Sequence, residues 1–92
     1  MEPRRHFENA QREATQISTM LSDLDRTIRL LECDIALHEA NARVKDHAYF
    51  GYPIAARTMA ARRDNLKTTV AVLEQRLSNL ELTLHRAAAT AA

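Results

Sequence analysis

Ninety-two residues, 46% of them apolar and 27% charged with a net charge of +1, allow one domain with a small core. No apolar run approaches the ~20 residues of a membrane span, so no membrane partner is expected. The single cysteine, Cys33, can form neither an internal disulfide nor, without clustered partners, a thiolate metal site.

Residues 1–6 are charged around a proline, and the polar stretch Glu8 to Gln16 follows in place of the apolar core of a secretion signal. We therefore expect a frayed N-terminal end and a cytoplasmic protein. From Phe7 onward the chain reads as helix to about residue 47. Apolar residues recur at alternating three- and four-residue steps through Ala10, Ala14, Ile17, Leu21, Leu24, Ile28, Leu31 and Ile35, and the same steps continue to His38, Ala42 and Lys45. Such spacing keeps one seam on an α-helix, with Phe7 at heptad position a and Ala10 at d. A helix of this extent is about 60 Å long.

The reversal is expected at residues 48–52. Gly51 is the only glycine in the chain and suits a left-handed helix end, while Pro53 suits the first turn of the next helix. The second helix is expected over about 53–88, with an alanine-rich end at 89–92 that frays. Its seam is Ala56, Met59, Arg63, Leu66, Val70, Leu73, Leu77, Leu80, Leu84, Ala87 and Ala91. Nineteen of the 22 seam positions are apolar where composition alone would give about ten, so the periodicity is a signal. Pairing the two seams so that residue numbers sum to 101 gives eleven layers, with Ile17/Leu84, Leu21/Leu80, Leu24/Leu77, Ile28/Leu73, Leu31/Val70 and Ile35/Leu66 at the centre. The fold class is all-α, two long antiparallel helices in a coiled-coil hairpin.

One layer of that pairing sets His38 against Arg63. Polar layers commonly fix register, and Asp34, Glu39 and Asp64 are candidate acceptors, so we read it as a polar core layer. Asp34 and His38 alone do not make a metal site, and no metal or cofactor is expected. There is no phosphate-cradling glycine loop and no nucleophile with an evident base, so the chain is read as no enzyme.

Two surfaces remain. On the side of the first helix away from the seam, Leu30, Cys33, Leu37, Ala40 and Val44 form a second apolar stripe, answered more weakly by Ile54, Ala61, Val72 and Leu82. Two helices cannot bury their central aliphatics fully, so this stripe is read as a self-association surface that makes a homodimeric four-helix bundle. At the turn, residues 43–67 carry six cations against two acids, and three of the four aromatics sit there. Arg43, Lys45, Tyr49, Phe50, Tyr52, Arg57 and Arg62 are therefore candidates for contact with nucleic acid or another anionic partner. The competing reading is that these aromatics cap the core and the cations answer the helix dipole. The expected role is a protein-interaction or structural module, adaptor or chaperone-like, whose partner the sequence does not name.

Overall fold

The computed structural model describes residues 3–91, with side chains for 4–90, and shows two helices packed against each other as a hairpin. The first, α1, runs Pro3–Ala42, and the second, α2, runs Ile54–Ala91. Both ends are helical beyond the expected limits of 7 and 88, consistent with the alanine-rich composition at the C-terminal side. Residues 1, 2 and 92, which belong to the ends expected to fray, lie outside the described residues. The seam residues are the covered ones. Ile17, Ile28, Leu31, Ile35, Ala56 and Leu80 are buried, and the aliphatics between them on both helices are half-buried. Among the described side chains Ala42 and Lys45 are the exceptions, both exposed, and that of Ala91 lies outside the described ones.

The chain divides into two compact units. One is built from Leu24–Thr69 and contains the turn; the other joins the segment up to Asp23 with the segment from Val70 onward. In the turn unit the core is a cluster of Ile35, Tyr52 and Ala56, on which Val44, Met59 and Ala60 pack. In the other unit Ile17 and Leu80 are the buried residues, and Arg76 donates from Nε and Nη2 to both carboxylate oxygens of Glu13, at 2.6 and 2.9 Å.

These contacts correct the register. A sum of 101 would set Glu13 level with residue 88, twelve residues or about 18 Å along the helix from Arg76, beyond the reach of the two side chains. In the turn unit Ile35 shares its cluster with Met59, a pair summing to 94, where Leu66 was expected. Ile35/Ala56 sums to 91 and Glu13/Arg76 to 89, so the helices pair several residues short of the expected register, while the residues of the seam remain the covered ones. The sequence reading sets His38 against Arg63 as a polar layer. Each is half-buried, and Arg63 Nε donates to its neighbour Asp64 Oδ1 at 3.1 Å.

The cause lies at the end of α1, which stops at Ala42 and not near residue 47. The Arg43 N–H donates to Ala40 O and the Val44 N–H donates to Glu39 O, both at 3.2 Å. This is the double bond pattern of a Schellman cap, with Arg43 in the left-handed position at φ 57°. The expected cap, Gly51, does not have a left-handed φ. Its lack of a side chain serves another contact, since a Cβ there would lie 2.6 Å from Cε1 of the Tyr49 ring. What stops the helix is Val44. Expected on the outer stripe, it has left the helix and turned into the core cluster, supplying the apolar contact that accompanies this cap.

Candidate functional site

From Arg43 the backbone crosses to α2 through two short turns, closed by Tyr49 N–H to Asp46 O at 3.1 Å and Tyr52 N–H to Tyr49 O at 3.0 Å. Asp46 reinforces the first by accepting the Ala48 N–H on Oδ1 at 2.9 Å. Pro53 then stands immediately before α2 and lends its carbonyl to the Arg57 N–H at 3.1 Å. It has no N–H to leave unsatisfied there.

Tyr52 is the centre of this region. It is 3% exposed, and its hydroxyl donates to Glu39 Oε2 at 2.8 Å. His47 Nε2 lies 3.3 Å from the same oxygen, and its ring stacks on Tyr52 with centroids 4.7 Å apart. The Arg57 guanidinium sits 5.4 Å from the Tyr52 ring centre and donates from Nη2 to His47 O at 3.1 Å. Burial, then the hydrogen bond to Glu39 and that residue's charge, push the Tyr52 phenol above its ordinary range. The phenol therefore stays a donor to the carboxylate. The stack of His47 on Tyr52 lies within the turn, and the other contacts tie the turn to Glu39 of α1 or Arg57 of α2.

The candidate tip residues thus separate into two groups. Tyr52 and Arg57 belong to the internal network. Phe50 is 93% exposed, and Tyr49, half exposed, lies against it with ring centres 5.2 Å apart. Arg43, Lys45 and Arg62 are exposed. Ile54, at the first position of α2, is 81% exposed. Its outward heptad position is legible in the sequence, but its exposure at the edge of the turn that carries Phe50 is not. Glu39, the acceptor that organises the network, enters the sequence reading only as a partner for His38, because nothing in the sequence shows that a residue thirteen positions away folds onto it.

On the outer side of α1, Leu30 and Leu37 are 61% and 60% exposed. Cys33 and Ala40 are exposed with them, so four of the five stripe residues remain on the surface and only Val44 is removed. In the other unit a cleft of about 620 Å3 opens above the Glu13–Arg76 bridge, lined chiefly by Phe7, Ala10, Leu80, Leu84 and Ala87. It has no titratable cluster besides that bridge and the His6 at its rim. Among the described residues no three His, Cys, Asp or Glu side chains come together, and no helix is long and apolar enough to cross a membrane.

No family model, no curated protein and no solved structure matches this chain.

Proposed function

We propose that the protein is a helical-hairpin interaction module, adaptor or chaperone-like, that pairs with a second copy through the outer face of α1 to make a four-helix bundle. The observation that carries this reading is the exposure of Leu30 and Leu37, 61% and 60%, on the helix face that also presents Cys33. Residues seven apart on a helix share a face, and two large aliphatics held there in water gain from being covered. Surface area points the same way. The chain leaves 7095 Å2 accessible, whereas a compact monomer of 10.4 kDa leaves about 5,400 Å2. The excess, about 1,700 Å2 for one chain, is about twice the ~800 Å2 that each partner gives up in a standard dimer interface, so a second copy can be accommodated. No described arrangement of side chains suggests catalysis, and the action is by contact.

Sedimentation equilibrium over a wide concentration range tests the proposal. The wild type should show the mass of a dimer at micromolar concentration, and Leu37→Glu should shift it toward monomer. Because Leu37 is mostly exposed in one hairpin, this substitution changes little within it, so a loss of mass reports the contact between copies. A wild type that sediments as a monomer throughout would rule the reading out.

A further inference from the structure

We infer that the turn between the helices is a surface anchor for anionic lipid bilayers, with Phe50 and Ile54 entering the interface and Arg43 and Lys45 meeting the headgroups. The inference does not rest on self-association, which uses another face of α1. Phe50 is 93% exposed and Ile54 81%, the two most exposed large apolar side chains among the described residues. They stand four positions apart, one in the turn and one at the first position of α2. Tyr49, half exposed and tilted against Phe50 at 5.2 Å, adds an amphipathic ring of the kind that favours the headgroup level. Between residues 43 and 57 three cations stand against one acid, Asp46, whose Oδ1 already accepts a backbone N–H. An apolar tip ringed by positive charge complements a surface that is apolar below and negative above.

Single-stranded nucleic acid is the other polyanion with apolar faces, and the geometry favours it less. The aromatic ring that carries a cation beside it is Tyr52, with Arg57 at 5.4 Å, and Tyr52 is 3% exposed and closed to a stacking base. The exposed rings, Phe50 and Tyr49, are tilted against each other at 5.2 Å and accompanied by Ile54, an aliphatic residue with no π face to offer. Crossing the bilayer is not required. The absence of an apolar helix long enough to span concerns insertion across the membrane, and an interfacial tip needs only a few apolar side chains and nearby cations.

The test is flotation of the full chain with vesicles of phosphatidylcholine alone and of phosphatidylcholine with about one-third phosphatidylserine, at low and high salt. Binding should require phosphatidylserine and weaken with salt. Phe50→Ser should reduce it by about tenfold or more, and Lys45→Glu by at least fivefold, on the order of the effect of one surface cation. Both residues are exposed, so circular dichroism should show unchanged helicity. The chain has no tryptophan, so Phe50→Trp supplies a single indole, excited selectively over the tyrosines, whose emission should move to the blue on anionic vesicles. No binding to either vesicle, equal binding to both, or an unshifted indole emission from the bound Phe50→Trp variant would each overturn the inference. Binding to a single-stranded oligonucleotide that is lost in Phe50→Ser, with no vesicle binding, would replace it with the nucleic-acid reading.

Discussion

Tyr52 joins four contacts on one ring: a hydroxyl bond to Glu39, a stack with His47, a guanidinium at its face and burial against Ile35 and Ala56. Removing it leaves Glu39 without its donor and opens a cavity in the small cluster, so Tyr52→Ala should lower the melting temperature by on the order of 10 °C. Phe50→Ala, at a position 93% exposed, should move it by no more than about 3 °C. Equal effects for the two would show that the turn packs differently. The sequence placed three aromatics at the turn but offered no means of ranking them, because the ranking depends on which ring meets the carboxylate arriving from α1. Arg43 carries a separate strain. A non-glycine residue at φ 57° costs about 1 kcal/mol relative to glycine, so Arg43→Gly should raise the melting temperature by about 5 °C, measured by thermal denaturation. The same substitution removes one of the cations assigned to headgroup contact, and vesicle binding should fall as stability rises. That opposition separates a capping role from a binding role at one residue.

The helices were legible because their signal is periodic and strong: steps of three and four persist through each, and the residues they mark are covered except at Ala42 and Lys45. Their register was not. A slide of seven residues restores every a-to-d facing, so the seam pattern alone is nearly indifferent to it, and the length of the turn decides. That length was set by Val44 turning into the core and by Arg43 accepting a left-handed backbone, neither of which is a propensity signal. Register can be read directly by cross-linking. With Cys33 changed to Ser, Ile35→Cys with Met59→Cys should form an intramolecular disulfide under mild oxidation, and Ile35→Cys with Leu66→Cys should not; non-reducing electrophoresis and mass spectrometry distinguish them. The reverse result would restore the longer register. In the other unit the Glu13–Arg76 bridge offers a check by pH. The hydrogen bond from Arg76, with its charge, holds the Glu13 carboxyl below its ordinary value, and the same bond raises Arg76 above its own. A depressed acid contributes stability at neutral pH that is lost as pH falls through its folded value. The melting-temperature gap between wild type and Glu13→Gln should therefore be small but positive at pH 7 and close below about pH 4, shrinking also with added salt because both side chains are about half exposed.

At the scale of the whole chain the governing fact is how little is buried. Among the described residues seven apolar side chains are buried, and no large side chain is fully enclosed. Helical propensity supports the long segments, but most helical stability in proteins comes from packing one face, and here each helix has only one neighbour. An outer face that keeps Leu30 and Leu37 in water is where further packing is available. If a second copy supplies it, unfolding and dissociation are linked, and stability depends on protein concentration by mass action. For a dimer of this length, with an unfolding enthalpy of about 130 kcal/mol, each tenfold rise in concentration should raise the melting temperature by about 4 °C. Leu37→Glu should melt lower than wild type and at a temperature independent of concentration. Calorimetry from micromolar to millimolar protein makes the comparison. A flat wild-type response would mean that the hairpin is stable alone with its aliphatic stripe exposed, and the outer face of α1 would then have to be explained by a partner of another kind.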